Sequence, residues 1–311
     1  MAHPLRKVKE VVLIEEIKRR LKPGNRPLGR NVIVGMGDDA AVVRGSRRGP
    51  YLLYTADMLI EGVHFKKGED PRKIGYKVLA VSISDIAAMG GLPKYALVSV
   101  GLPRKNLTKV AAGLYQGIAA CAKKFGVDVI GGDTNRSEKL VIDCFVAGEV
   151  ERKRMVLRRT AKRGDAIFVT GPLGGSLSGK HLTFEPRVKA ARFLVENFKV
   201  SSMIDLSDGL GTDLNRITEA SSCGALIFEN KIPLNRGVRN VNAALFDGED
   251  FELLFTLPKA DAFRLLKKAA LLKKMFSFYA IGRITDLFSG VRMIMADGRT
   301  SEVACKGFRH F

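Results

Sequence analysis

Cysteine is scarce and scattered. Cys121, Cys144, Cys223 and Cys305 are the four in 311 residues, and none stands in a C-x-x-C pair. That spacing argues against a zinc site and a disulfide framework and leaves buried free thiols as the expectation. Long apolar runs are also lacking. The nearest, residues 78–92, is interrupted by Ser82, Ser84 and Asp85, so no membrane span is expected. The first residues, Met1 to Lys9, are charged and lead into a helical pattern rather than a signal peptide, which points to a cytoplasmic protein. Acidic residues are in deficit, 32 Asp and Glu against 52 Lys and Arg, for a net charge of +20. Such a surplus raises nucleic-acid binding as a reading. The basic residues come in short separate clusters, however (Arg47-Arg48, Lys66-Lys67, Lys267-Lys268), with no nucleic-acid motif beside them. A cationic solvated surface whose field draws in anionic nucleotides is the simpler account. Neither nucleic acid nor membrane is an expected partner.

What is present begins with a core. Hydrophobic residues make up 46% of the chain, and its length allows two ordinary domains. Apolar spacing predicts a helix over 5–21, stopped by Lys22-Pro23-Gly24. Short strands follow at 32–34, 40–44 and 51–55, then a loop from Asp57 to Gly68. A helix runs from Pro71 to about Met89. Residues 95–101 read as a strand, 108–125 as a helix, 127–130 as a short strand and 139–149 as another. The composition turns basic and polar over 150–164, which divides the chain into domains 1–150 and 151–311. Beyond it come strands at 166–170, 202–205, 225–229, 251–257, 277–282 and 290–295. Helices alternate with them near 187–198, 208–222 and 259–272. Both halves mix strands and helices, so the fold class is α+β, two mixed α/β domains.

The acids are few, yet they stand in costly places. Gly35-Met36-Gly37-Asp38-Asp39-Ala40 puts two adjacent carboxylates between apolar runs. Like charges at that range repel unless a cation or a hydrogen-bond network holds them. The stretch matches the dinucleotide fingerprint G-x-G-x-x-A, with Asp57 about twenty residues on. That reading needs a helix directly after the glycines, and Ala-Ala-Val-Val-Arg-Gly-Ser-Arg-Arg-Gly-Pro leaves no room for one. The competing readings are a metal site of hard oxygens and an Asp pair capping a turn. Asp57 ends the strand Leu53-Tyr54-Thr55-Ala56, and Asp85 lies in the otherwise apolar helix Ser82 to Met89. Asp133 follows Gly131-Gly132, and Asp205 and Asp208 flank Leu206-Ser207. A buried Asp such as Asp85 costs several kcal/mol unless it is paired or metal-bound. Singly, each has a plain alternative: an N-cap for Ser207 or Asp208, a turn for Asp133, a polar network for Asp85. As a set they describe a cluster suited to several Mg²⁺ ions and a polyphosphate.

Two further features each carry competing readings. His64, seven residues after Asp57, is either an ordinary loop residue or a donor to a substrate phosphate. Gly174 to Lys180 reads G-x-x-x-x-G-K after Ile167-Phe168-Val169, nearly a Walker A loop, but His181 stands where Ser or Thr should hold Mg²⁺. The expectation is a glycine-permitted turn, with a P-loop NTPase as a minor alternative.

The motifs G-M-G-D-D-A-A, T-A-D-M-L-I-E-G-V-H-F, S-D-I-A-A-M-G-G-L-P, I-G-G-D-T-N-R, I-D-L-S-D-G-L and G-E-D-F-E-L-L-F occur in this order from Gly35 onward. As a set they resemble the thiamine-monophosphate kinase family, part of a superfamily that includes aminoimidazole ribonucleotide synthetase. The resemblance implies transfer of a phosphoryl group from ATP to thiamine monophosphate, with Mg²⁺ required and no general base. It implies metal ligands at Asp39, Thr55, Asp57, Asp85, Asp133, Asp205 and Asp208. Nucleotide contacts would come from Tyr115, Gly132, Arg158 and Ser207, and substrate contacts from His64, Glu249 and Phe308. It further implies a homodimer whose first-domain strands pair into a barrel, and a sandwich-like second domain completing the nucleotide and substrate site. A purine-pathway synthetase of the same superfamily is the alternative. Asp247 departs from the family's usual G-G-E-D by replacing its first glycine, which bears on the thiamine pocket more than on the ATP site.

Overall fold

A computed structural model describes residues 9–21, 29–104, 107–272 and 275–307. In chain order these form α1 (Lys9–Leu21), β1 (Val32–Val34), β2 (Ala41–Arg44), β3 (Tyr51–Ile60) and α2 (Pro71–Ala88). Then come β4 (Leu92–Leu102), α3 (Leu107–Phe125), β5 (Asp128–Arg136), β6 (Val141–Val150) and β7 (Ala166–Val169). The chain continues with α4 (Val188–Asn197), β8 (Ser202–Asp205), α5 (Leu210–Ala220), β9 (Gly224–Phe228) and α6 (Val241–Phe246). It closes with β10 (Leu253–Leu257), α7 (Lys259–Leu272), β11 (Tyr279–Thr285), β12 (Gly290–Ile294) and β13 (Thr300–Glu302). The fold is mixed α/β with two sheets and seven α-helices among the described residues. None of these helices is long and apolar enough to cross a membrane. The chain divides into two compact units, one of residues 31–155 with 179–188, the other of 1–30, 156–178 and 189–311.

The first unit is built on a six-stranded sheet in the order β1-β2-β3-β6-β4-β5. Its pairs are antiparallel except β4 with β5, which run parallel and are joined through α3. β6 alternates strictly: Ile142, Cys144 and Val146 are buried, and the residues between them are half-exposed. Side chains of a strand point alternately to its two faces, so one face of this sheet is core. α2 covers that core. Pro71 sits in its first turn, and the Asp70 side chain accepts the Arg72 N–H at 2.9 Å, closing the amino end. Ile74, Val78, Leu79, Ile83 and Ile86 are buried around nearly the whole of α2, so the helix is apolar on more than one side. α3 crosses it closely. A Cβ on Gly75 would stand 1.9 Å from the Leu114 carbonyl, and one on Gly117 1.9 Å from that of Arg72.

Two strands are longer than their sequence pattern predicts. Asp57 does not end β3, because the strand stays paired residue by residue with β6, Asp57 opposite Cys144 and Ile60 opposite Val141. Asp133 does not sit in a turn after a short strand. β5 continues through Gly131-Gly132 to Arg136, paired with β4 as far as Leu102. The helix expected over 5–21 is described from Lys9, and residues 5–8 lie outside the described residues.

The second unit has a seven-stranded sheet, β13-β12-β9-β11-β7-β10-β8, antiparallel except for β9 with β12. Ile167 and Val169 pack into one apolar cluster with Ile204, Leu214 and Ile217, bringing α5 onto that face. Phe168, of opposite pleat, stacks on Phe255 at 5.3 Å. Phe278 continues that aromatic layer to Phe193 of α4. Burial on both faces explains why β7 and β10 read as nearly continuous apolar runs. The strand expected from 251 starts only at Leu253, since Glu249 and Phe251 adopt positive φ of 58° and 49°. α6 and β13 carry too few periodic residues to be visible in the sequence.

Candidate active site

In the first unit the pleat of β3 puts Thr55 and Asp57 on the same face as buried Leu53 and Leu59, under α2. Ser82 and Asp85, one turn apart on α2, meet them. Thr55 Oγ1 donates to Asp85 Oδ2 at 2.5 Å. Ser82 Oγ lies 2.8 Å from Asp57 Oδ2 and 3.0 Å from the Cys144 carbonyl. Asp39, 7% exposed just before β2, brings a carboxylate oxygen within 4.8 Å of one on Asp85. Asp38 holds the turn, its Oδ1 accepting the Asp39 N–H at 3.1 Å.

Burial pushes Asp57 up to about 6. The Ser82 hydroxyl lowers it, while the neighbouring charges of Asp143 and Asp39 raise it further. This set consists of hard oxygens held close together around the buried Asp57 carboxylate. It therefore fits a hard divalent cation such as Mg²⁺, and Asp39, Thr55, Asp57 and Asp85 are the residues that could hold it.

Other expected residues of this unit stand apart. Asp133 is exposed on the edge strand β5, and its carboxylate accepts from the Thr134 N–H at 2.8 Å and from Asn135 Nδ2 at 2.5 Å. Among the described residues no hydrogen bond ties it to Asp57 or Asp85. Gly132 has φ of 153°, and a Cβ there would strike the Val98 carbonyl at 1.8 Å, so the neighbouring strand already demands glycine. Tyr115 is 39% exposed on α3. His64 is half-buried. Its Nδ1 accepts the Ile60 N–H at 3.0 Å, which directs the proton to Nε2, while its carbonyl accepts from the fully buried Lys77 ammonium at 2.9 Å.

The second unit holds a differently constructed set. Asp205 ends β8 and is 3% exposed. Asp208 is 9% exposed, but neither it nor Ser207 caps α5: the N-cap is Gly209, at φ of 98°. The Asp208 N–H is bonded instead to Asp213 Oδ2 at 3.0 Å. Arg216 bridges the pair, Nη1 to Asp213 Oδ1 at 2.8 Å and Nη2 to Asp208 Oδ2. Burial raises Asp213 to about 7, although Arg216 pulls it down. Burial disfavours the Arg216 charge, yet the two carboxylates outweigh that and keep it firmly protonated. Arg158 lies in a single 3₁₀ turn tied to the end of α5 by Ser221 Oγ, which donates to the Arg158 carbonyl at 2.9 Å. Glu249 is 8% exposed in its left-handed conformation, its N–H on the Ser207 carbonyl at 2.7 Å. Strain at non-glycine residues of this kind persists where the surroundings enforce it, often at ligand sites. Phe308 lies outside the described residues.

The Walker-like loop does not form a phosphate cradle. The Gly174 N–H donates to Asp250 Oδ2 at 2.8 Å, and Ser176 Oγ donates to Asp250 Oδ1. The chain then makes short 3₁₀ turns at Ser176–Ser178 and Lys180–Leu182 rather than a helix. These donors are engaged by an internal carboxylate, and that carboxylate repels a phosphate. Asp247, the departure from the family pattern, takes part by accepting the Gly175 N–H at 3.3 Å.

Ser82, Asp143, Asp213, Arg216 and Asp250 were missed as site or support residues. Ser82 was recoverable from its three-residue spacing to Asp85. Asp213 and Arg216 stand on α5 at the same spacing as each other, but nothing local marks them as partners of Asp208.

The fold and its acids belong to a described class. The families "AIR synthase related protein, N-terminal domain" and "AIR synthase related protein, C-terminal domain" match residues 37–150 and 162–293. Over 310 residues the chain is 36% identical to the thiamine-monophosphate kinase of Bacillus subtilis (strain 168), covering 90% of this chain and 94% of that one. The Rhodopirellula baltica thiamine-monophosphate kinase is 40% identical over 248 residues, 74% and 78% of the two chains. The solved structure of AaThiL complexed with AMPPCP and TMP superposes with a TM-score of 0.81 at 32% identity, covering 97% of each chain. The chain belongs to the thiamine-monophosphate kinase family.

Proposed function

We propose that this chain transfers the γ-phosphoryl group of ATP to thiamine monophosphate, giving thiamine diphosphate and ADP, by direct in-line displacement. The observation that carries the reading is the crowding of Asp39, Thr55, Asp57 and Asp85 in a member of this family. Asp133, Asp205 and Asp208 are assigned to the same metal chemistry. Bound Mg²⁺, in several copies, would supply the positive charge that lets two phosphorylated substrates approach. The chain's own residues do the positioning. Ser82 and Thr55 orient the carboxylates of Asp57 and Asp85. Tyr115, Gly132, Arg158 and Ser207 are assigned to the nucleotide, with Arg158 adding fixed positive charge. His64, directed by Ile60 and Lys77, presents Nε2–H to the substrate with Glu249 and Phe308. The acceptor is a phosphate oxygen whose second pKa is about 6, so no side chain need remove a proton.

A homodimer completes the proposal. β5 is nine residues long, exposed throughout and at the edge of its sheet, with Ile130 63% exposed. An open edge of that length invites pairing, and a second copy would extend the sheet toward a barrel. Light scattering should give twice the chain mass, and Ile130→Lys should shift it to the monomer.

Activity is tested with purified protein, ATP and Mg²⁺, offering thiamine monophosphate against aminoimidazole precursors. Thiamine diphosphate should appear only with the former. Turnover of an aminoimidazole substrate instead, or a phosphoenzyme trapped with labelled ATP alone, would overturn the mechanism.

A further inference from the structure

A cavity of about 1220 Å³ opens in the first unit, and none of the aspartates described above lines it. Six cationic side chains line it: Lys66, Lys67, Arg104, Lys109, Arg136 and Lys139. They come from separate segments that the fold gathers at one end of the sheet. Three carboxylates also line it, Glu61, Glu69 and Glu138, and Glu61 is already engaged by the Leu140 N–H at 3.2 Å. Among the described residues none of the six cations forms an ion pair or a side-chain hydrogen bond. The floor is apolar, with Phe65 and Ile74 buried and Val110 half-buried.

The topology makes this an address for anions. β4 and β5 are parallel and joined through α3, and the cavity sits where both strands reach their carboxyl ends, at Leu102 and Arg136. Ligands of open α/β sheets bind at that end. The 19-residue α3 also starts there, so its amino-terminal partial charge has the same sign as the side chains. The thiazolium ring of thiamine is a cation, and a lining with six positive groups against three negative ones disfavours it.

We propose that this cavity is a second anion site, which takes a polyphosphate-bearing small molecule such as a nucleoside polyphosphate. The phosphates are held by Arg104, Lys109 and Arg136, and the apolar part rests on Phe65, Ile74 and Val110. A concave site with an apolar floor favours this ligand over a nucleic-acid backbone, which needs an extended stripe. The site requires no metal and does not depend on the kinase reading.

Calorimetric titration of the full chain in EDTA with inorganic tripolyphosphate, and separately with ADP, tests it. Both should bind, and Arg104→Glu with Arg136→Glu should weaken both by roughly tenfold or more. Charge-matched Lys267→Glu with Lys268→Glu, on α7, should change neither. Val110→Asn should weaken ADP and spare tripolyphosphate. Circular dichroism and kinase turnover at saturating substrate report folding and the principal site separately. Equal weakening by both charge-reversal pairs would mean a diffuse surface field and overturn the proposal. So would loss of binding in Arg158→Gln with retention in the Arg104/Arg136 variant, or an RNA oligomer that binds far more tightly than ADP through the same arginines.

Discussion

The two units use acids in opposite ways. In the first, Asp39, Asp57 and Asp85 crowd together, and the groups seen to answer Asp57 and Asp85 are the hydroxyls of Ser82 and Thr55. Hydroxyls orient a carboxylate but do not neutralise it, and burial leaves Asp57 a weaker acid, its pKa raised to about 6. In the second, Asp208 and Asp213 share Arg216, and Asp250 takes the Gly174 amide and the Ser176 hydroxyl. Asp57 is oriented by a hydroxyl, while Asp208 and Asp213 meet a guanidinium. The same residue type at similar places in a strand or helix thus meets a neutral partner in one unit and a cation in the other. What decides between them is the sign of the neighbours.

The sharpest way to break this comparison is to remove a charge from each cluster. Asp57→Asn should lower turnover by about 10²–10³-fold, the scale expected when charge stabilisation at a phosphoryl-transfer site is lost. Without Mg²⁺ its melting temperature should equal or exceed that of the wild type, since a buried repulsion is relieved. The rise in melting temperature that Mg²⁺ gives the wild type should shrink. Melting curves in EDTA and in Mg²⁺ read both effects, and unchanged turnover would end the metal assignment. Arg216→Met should act the other way, costing about 3–5 kcal/mol of stability because Asp213 and Asp208 lose their buried counter-charge. Urea denaturation measures it. Asp213→Asn, which keeps the Asp208–Arg216 pair, should cost less. If Arg216→Met left the denaturation midpoint in place, the second cluster would not be internally balanced.

How much of this was readable beforehand follows from range. Pro71 and Asp70 at the start of α2, and the glycines after it, are local signals, and the helix lies where they place it. Strand ends were misjudged because pairing partners decide them. Asp57 and Asp133 stay in strands since Cys144 and Ser99 lie opposite, facts of register that no local pattern carries. The acids could be picked out by type and setting, and the structure brings Asp85 together with Thr55 and Asp39. The meaning of Gly132 was only half legible. Its freedom from a side chain serves the packing of β5 on β4, whatever binds there. The G-x-x-x-x-G-K loop misleads for a related reason, because Asp250 occupies its amide from 76 positions away.

That loop supplies the smallest effect and the finest test. Ser176 is fully buried, and its hydroxyl is one of the donors that hold the Asp250 carboxylate. Ser176→Ala removes that donor without removing the charge, and Asp250 keeps the Gly174 N–H. Loss of one donor to a buried carboxylate should cost about 1–3 kcal/mol. The KM for ATP should stay within twofold of the wild type, because a loop whose amides face a carboxylate is not where the triphosphate rests. The two readouts separate structure from ligand binding. A tenfold rise in KM for ATP with the denaturation midpoint unmoved would mean that the loop meets phosphate. Asp250 and the loop it holds would then have to be reconsidered as part of the nucleotide site.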